Sequence, residues 1–230
     1  DLLTMQAIYW EDEMGREPIE REIPAEMLAE AEAQHATLVE RIAEFDDDLT
    51  VKFLEGEEIS LEELKQSLRR ATIAGKATPV FCGSSLRNKG VQEVLDAVID
   101  YLPSPLEVPA TIGINPNTGE EVTLYPDDDA PVSALVFKIV TDPYVGRLAY
   151  FRVYSGTVQS NGMLYNPGKT RRERIGRMVR MYADRRDDIT EIHAGDIGAV
   201  LGLKDTFTGD TLCDPNKLVV LENISFPEPV

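Results

Sequence analysis

The sequence predicts an α+β amino-terminal part followed by an all-β antiparallel barrel, on three observations. Apolar residues recur at helical three- and four-residue steps in segments reaching Leu102, with short β-prone runs between them. Six prolines then crowd residues 103–131. From Val132 onward, short alternating runs are separated by turns that carry glycine, the pattern of a small barrel.

Residues 2–9 read as a strand that turns back at Gly15, with a second short strand after it. From Pro24, suited to the first turn of a helix, Met27, Ala31, Leu38, Ile42 and Phe45 form one narrow apolar stripe. The other sides carry Glu26, Glu30, Glu32 and Glu40, either a solvated face or a docking face for a basic partner. Ser60-Leu61-Glu62-Glu63 is a capping-box pattern, and Leu61, Leu64 and Leu68 line a helix that runs from it to about Thr72. Pro79-Val80-Phe81-Cys82, bounded by Gly83, suits a strand buried on both faces of a parallel sheet. Val91, Val94, Leu95, Val98, Ile99 and Leu102 make a helical stripe directly after it, which completes half of a βα unit.

Pro103-Ser104-Pro105 stops that helix, since proline lacks the N–H and clashes with the preceding turn. Residues 105–130 are a Pro-rich linker in which the runs either side of Asn117-Thr118-Gly119 can pair as a hairpin. The barrel runs are Leu135, Phe137, Ile139; Ala149, Phe151, Val153; Ile175, Val179, Met181; and Ile197, Ala199, Leu201. Turn clusters at Asp142-Pro143, Ser160-Asn161-Gly162, Asn166-Pro167-Gly168 and Thr208-Gly209-Asp210 separate them. The expected boundaries are therefore residues 1–74, 75–104, 105–130 and 131–230.

The chain has 230 residues, 43% of them hydrophobic, enough for two or more cores. A net charge of -18 argues against duplex DNA or an anionic membrane as partner, because the long-range field repels both. That charge is uneven: residues 1–70 carry 20 acids against 7 bases, and residues 71–230 carry 21 against 16. Cys82 and Cys213 form no CxxC pair, and His35 and His193 stand in unrelated contexts, so neither a zinc site nor a disulfide framework is expected. So few thiols fit a reducing, cytoplasmic compartment. No apolar run approaches the roughly 20 residues a bilayer crossing needs, and there is no signal peptide. The chain starts at Asp1 without an initiator Met and closes on Pro227-Glu228-Pro229-Val230. It is expected to be an internal piece of a larger factor.

A nucleotide-hydrolysing domain needs a Gly-rich loop ending in Gly-Lys-Ser/Thr to hold phosphates. Here Gly75-Lys76 is followed by Ala77, and Arg70 stands where the first glycine belongs. Asp12-Glu13-Met14-Gly15 and Asn88-Lys89-Gly90 spell parts of GTPase motifs, yet neither stands in the required context. No Ser/His/acid or Cys/His constellation is present, so no catalytic residue is expected in this chain. A basic ribbon is more distinctive: Lys169, Arg171, Arg172, Arg174, Arg177, Arg180, Arg185 and Arg186. In a strand over residues 171–182, Arg172, Arg174 and Arg180 share one face by the period-two rule, opposite Ile175, Val179 and Met181. They serve either phosphate contacts with structured RNA or ion pairs with Asp184, Asp187 and Asp188.

Residues 79–91, a strand ending in the small-residue loop Gly83-Ser84-Ser85-Leu86-Arg87-Asn88-Lys89-Gly90, continue into QEVLDAVIDYLPSP at 92–105. This stretch closely resembles the last guanine-binding motif and final helix of the GTPase domain of bacterial elongation factor G. Phe137-Lys138-Ile139 with Asp142-Pro143-Tyr144-Val145-Gly146-Arg147-Leu148, Arg152-Val153-Tyr154-Ser155-Gly156-Thr157, Ala194-Gly195-Asp196-Ile197-Gly198-Ala199-Val200 and Thr208-Gly209-Asp210-Thr211-Leu212 are similar to that family's second domain. The acidic first seventy residues resemble the insert of its GTPase domain.

The resemblance implies an insert subdomain plus the last βα unit of a P-loop GTPase domain, followed by a translation-factor domain II barrel. It implies a parent that binds GTP or GDP with Mg and drives tRNA and mRNA through the ribosome, while this piece scaffolds without GTPase activity or cofactor of its own. Ser84, Ser85 and Leu86 would meet the guanine base in the full-length factor, with Ser85 standing where alanine is common. Small-subunit ribosomal RNA would meet Arg172, Arg174 and Arg180, and the ribosomal stalk protein would meet Glu26, Glu30 and Glu40. A release factor GTPase or a ribosomal protection protein shares this layout, and a free-standing RNA-binding barrel is the reading from another class. Residues 74–102, which lack their sheet neighbours, are expected to be partly disordered, repacked against the insert or covered by another copy. The barrel is expected to fold independently.

Overall fold

The computed structural model describes residues 1–142, 146–182 and 185–221. Pro143, Tyr144 and Val145 of the barrel motif, Asp184, and Pro227-Glu228-Pro229-Val230 lie outside the described residues. The chain divides into two compact units, Asp1–Ser104 and the remainder from Pro105.

In the first unit, β1 (Ala7–Tyr9) pairs antiparallel with β2 (Ile19–Arg21). The strand expected over residues 2–9 is shorter, because Asp1 Oδ1 accepts the N–H groups of Leu3 and Thr4 and holds them in turns. Helix α1 spans Ala25–Ala43, but its predicted stripe is buried only at the end. Ile42 is 1% exposed, Met27 is 56% exposed, and Phe45 falls beyond the last turn. Helix α2 (Asp47–Glu55) is absent from the sequence expectation, although its signals are local. Asp46 caps it by accepting from the Asp48 and Leu49 N–H groups at 3.1 and 3.2 Å, and Gly56 ends it in the left-handed region.

Helix α3 (Leu61–Ile73) starts on a complete capping box formed by Ser60 and Glu63. Its Leu64, Ser67 and Ala71 are buried, and the Ser67 hydroxyl donates to the Ile42 carbonyl. Helix α4 (Val91–Tyr101) packs against α3, tied by Lys65 to Asp100 at 3.1 Å and by Arg69 to the Ile99 and Asp100 carbonyls. The strand expected over residues 79–82 does not form: Val80 is 89% exposed and Cys82 is exposed. A ladder needs a neighbour to pair with, and this unit offers none beside that segment. For the same reason α4 turns Val94, Leu95, Val98 and Ile99 outward, and Tyr101 is its buried residue.

In the second unit, β3 (Thr111–Ile114) and β4 (Glu121–Leu124) form a hairpin, with Asn115 Oδ1 accepting from Asn117 and Thr118 in the turn. The barrel strands are β5 (Ser133–Asp142), β6 (Gly146–Ser155), β7 (Val158–Gln159), β8 (Met163–Asn166), β9 (Arg171–Arg174), β10 (Met178–Tyr182), β11 (Arg185–Ile189), β12 (Glu191–Ile192), β13 (Ile197–Leu201) and β14 (Thr211–Cys213). Eight of them make one antiparallel sheet in the order β11-β10-β13-β6-β5-β14-β8-β9. The sheet curls around one core that includes Val136, Phe151, Val153, Ile175, Met178, Ile192 and Leu212. Beyond its two ends, β12 pairs with β7, Ser160 N–H donates to the Thr190 carbonyl, and residues 161–162 exchange hydrogen bonds with Ile175. These short bonds close the seam, which removes the exposed edges of an open sheet.

Two expectations about the strands need correction. The alternation Leu135, Phe137, Ile139 crosses a β-bulge between Val136 and Lys138, so Leu135 packs in a second cluster while Ile139 reaches the main core. A bulge adds one residue and flips every side chain after it. The single strand expected over residues 171–182 is two strands, β9 and β10, broken at 175–177, where Ile175 turns inward to 1% exposure.

The capping box also sets a pH dependence. Glu63 accepts from the Ser60 N–H at 2.9 Å, from the Ser60 hydroxyl at 2.7 Å and from Lys52, and the Lys52 ammonium holds its carboxyl down at about 2, against an ordinary 4.5. A depressed carboxylate contributes stability that is complete above its unfolded pKa and lost as pH falls through the folded one. The first unit is therefore expected to lose part of its helicity between about pH 4.5 and about pH 2, and Glu63→Gln removes that step from an acid titration followed by circular dichroism. An identical titration in the variant would contradict the assignment.

Candidate functional site

The loop at Ser84-Ser85-Leu86 is built before its ligand. Ser84 N–H donates to the Lys89 carbonyl at 2.8 Å and Lys89 N–H returns to Ser84 at 3.1 Å, a small bridge that closes one turn of 3-10 helix over Ser85–Arg87. Gly83 serves that closure: a Cβ there would stand 2.6 Å from the Lys89 carbonyl oxygen. The lack of bulk that the sequence suggests for a flat ligand is thus used by the loop's own backbone. Leu86 sits at the tip, 95% exposed. A cleft of about 500 Å³ in this unit, lined by Lys65, Phe81, Glu93, Asp96 and Tyr101 among others, includes none of the three loop residues.

A second loop clasps the first. Asp12 accepts from the Met14, Arg16 and Glu17 N–H groups, and these bonds, led by Arg16, hold its carboxyl below the usual range. Against this loop Asn88 Nδ2 donates to the Met14 and Gly15 carbonyls at 3.2 and 3.1 Å, and Gln92 Nε2 donates to Gly15 at 2.8 Å. The two fragments of GTPase spelling are therefore neighbours, joined as structure and not as a phosphate site. Gly15 is at φ +58, and a Cβ there would lie 2.4 Å from the Asn88 carbonyl oxygen.

The Gly-Lys pair at residues 75–76 of the sequence lies outside this loop. Gly75-Lys76 follows the carboxyl end of α3, with both N–H groups spent on that helix's last carbonyls. A helix carboxyl end carries the negative end of the dipole, the wrong polarity for phosphate. Among the described residues no group of three or more His, Cys, Asp or Glu could hold a metal ion. None of their helices is long and apolar enough to cross a membrane.

The structure divides the predicted arginine row. Arg172 and Arg174 are exposed on β9, alternating with Arg171 and Glu173 on its other face. Arg172 holds no ion pair among the described residues, and Arg174 reaches only Asn161 Oδ1 at 3.4 Å. Arg180 is on β10 and is paired with Asp196 at 2.6 Å. The acids take other arginines as well: Arg177 grips Asp188 through two bonds at 2.5 and 2.9 Å, and Arg171 meets Asp205 at 2.8 Å. Of the acids expected as partners, Asp188 takes Arg177, whereas Arg180 and Arg171 pair with Asp196 and Asp205, and Arg172 and Arg174 hold no ion pair among the described residues.

On α1, Glu26, Glu30 and Glu40 are all exposed. At 100° per residue they fall within about 40° of one line. His35, Leu38 and Ile42 face the other way.

Sequence reasoning misses a buried polar cluster in the barrel. Glu173, 6% exposed amid the basic ribbon, accepts from the Asp205 N–H at 2.8 Å and the Thr206 hydroxyl at 2.9 Å. Fully buried Asn166 donates to Asp210 Oδ2 at 3.0 Å and to Thr206 Oγ1 at 3.3 Å. Arg147 donates to the carbonyls of Leu203, Lys204 and Thr206. The signal in sequence is slight: one acid among arginines, and a turn cluster at Thr208-Gly209-Asp210.

Residues 131–215 match the family model of elongation factor G domain 2, so the barrel is similar to that domain. A crystal structure of a protein from Thermus thermophilus is similar over 100% of this chain, at 26% identity and a TM-score of 0.76. The chain spans 32% of that protein's length.

The clasp gives a direct test. Asn88→Ala removes two hydrogen bonds and is expected to cost about 1 kcal/mol. Gly15→Ala adds left-handed strain and a backbone clash, about 2 kcal/mol or more. Hydrogen exchange should show both variants losing protection over residues 10–17 while α3 keeps its own; unchanged protection in Gly15→Ala would refute the clasp.

Proposed function

We propose that this chain is an internal segment of a ribosomal translocase of the elongation factor G type, a GTP-driven factor that moves tRNA and mRNA in protein synthesis. The observation that carries the reading is the elongation factor G domain 2 match over residues 131–215, in a chain similar to the Thermus protein throughout its length. In this reading the barrel contacts small-subunit ribosomal RNA through Arg172 and Arg174, whose exposure and lack of carboxylate partners among the described residues leave their charge available. Arg180 is a weaker contact, because Asp196 already neutralises it.

The acidic line of Glu26, Glu30 and Glu40 would meet a basic domain of the ribosomal stalk protein. In the whole factor Ser85 and Leu86 would meet the guanine base at the tip of a loop that Ser84 and Lys89 hold closed. The segment itself would scaffold and bind without hydrolysing GTP, since a phosphate-binding loop and a magnesium site require residues other than these. The parent would work in the cytoplasm.

Charge reversal at Arg172 and Arg174 in the full-length factor tests the central contact. Ribosome affinity is expected to fall at least tenfold near physiological salt, and the slope of log affinity against log salt should flatten by about one for each phosphate that is no longer neutralised. Parent affinity and slope in the double variant would refute the contact.

A further inference from the structure

Phe207 is an aromatic ring left 54% exposed on a loop that is anything but loose. Its own N–H donates to Asp210 Oδ2 at 2.8 Å, and the residues just before it are held by Glu173, Arg147 and Asn166 from strands β9, β6 and β8. A loop this fully bonded has already given up the conformational entropy that a flexible one would lose on binding. The ring is therefore presented in a fixed position.

Two cations lie against it. The Arg147 guanidinium carbon lies 4.5 Å from the ring centroid and Lys169 Nζ lies 5.4 Å from it, both within cation–π range. Lys169 and Lys204 are exposed and hold no ion pair among the described residues. The carboxylates of this corner are all engaged: Glu173 by loop N–H groups and Thr206, Asp205 by Arg171, and Asp210 by Asn166 and the Phe207 N–H. The ring is 54% exposed, and that open part, beside lysines without an ion pair among the described residues, suits a flat group attached to an anion.

We infer that the 203–210 loop is a stacking site for an unpaired nucleotide of RNA, with the base on Phe207 and its phosphate near Lys169 and Lys204. This rests on the reading that the barrel meets ribosomal RNA, and it adds a contact separate from Arg172 and Arg174, which project from the opposite face of β9 to Glu173. Stacking on an aromatic side chain contributes about 1–3 kcal/mol per base and tolerates any base, while lysines supply the salt-dependent part. An acidic peptide would satisfy the lysines but leave the ring without a flat partner.

The test uses the 230-residue chain with isolated small ribosomal subunits. Phe207→Trp puts an indole at the site, and Trp10, the chain's one tryptophan, gives a constant background in the parent. Subunit binding should quench the variant's emission and leave the parent's unchanged. Phe207→Leu should weaken binding about tenfold with an unaltered salt slope, Phe207→Tyr should restore it, and Lys169→Ala should lower the slope by about one.

Circular dichroism of each variant checks that the exposed position leaves folding intact. Binding without quenching, with Phe207→Leu at parent affinity, overturns the stacking site while the Arg172 and Arg174 contact stands. No binding of subunits by the parent chain at low salt overturns both. Quenching by polyglutamate and not by subunits assigns the ring to a protein partner and also overturns the site.

Discussion

A carboxylate removed from water must have its oxygens hydrogen-bonded, and Glu173 is 6% exposed. The second unit is arranged around that demand. Lys204 and Asp205 turn their N–H groups, and Thr206 its hydroxyl, toward Glu173, which fixes the loop between β13 and β14. Because Glu173 points inward on β9, the pleat sends Arg172 and Arg174 to the other face, where they are exposed. One buried charge thereby sets both the loop that displays Phe207 and the strand face that displays two arginines. Removing one partner of such a network leaves the rest desolvated, so its members stand or fall together.

The first unit is held differently, by short-range bonds at the ends of its elements. Asp46 caps α2 and also meets Arg70 of α3, so one side chain positions two helices. Glu63 completes the capping box of α3 and takes Lys52 of α2. These groups are solvent-exposed or nearly so, and such bonds are individually weak and screened by salt. What makes them effective is that each also satisfies a helix-end N–H that would otherwise lack a partner. The loops at Gly15 and Asn88 follow the same logic, with side-chain amides answering backbone carbonyls.

Legibility in the sequence follows the range of the interaction. The capping box at Ser60 and Glu63 spans four residues, and the sequence shows it whole. The hairpin around Asn117-Thr118-Gly119 and the run Ala149, Phe151, Val153 are equally local, and they form where the pattern places them. Strand 79–82 lies beyond local reading, because its existence depends on neighbours and not on its own apolar content. The bulge at Val136 and Lys138 defeats a period-two argument silently, since nothing in Leu135, Phe137, Ile139 announces an extra residue. At residues 171–182 a signal exists, Gly176, which marks the break that separates Arg180 from Arg172 and Arg174. The burial of Glu173 is invisible: its partners lie some thirty residues away in a loop of ordinary turn composition.

Net charge likewise says little about the local surface of the barrel. At -18 the chain as a whole repels polyanions at long range. Physiological salt screens charges over about 8 Å, so a phosphate close to the surface responds mainly to the groups around it. Asp188, Asp196 and Asp205 each neutralise an arginine, and Glu173 is spent inside the fold. The three paired aspartates count fully in the sum but add little to the field outside their pairs, whereas Glu173, held by neutral donors, keeps its charge at depth. Lys169, Arg172 and Lys204 keep theirs. A protein can therefore be strongly acidic in total and still present a locally basic face, provided its acids are consumed pairwise beside the cations. The acids of α1 are arranged the opposite way: Glu26, Glu30 and Glu40 lie along one exposed line without an ion pair among the described residues, so the charge of that helix face is not cancelled locally.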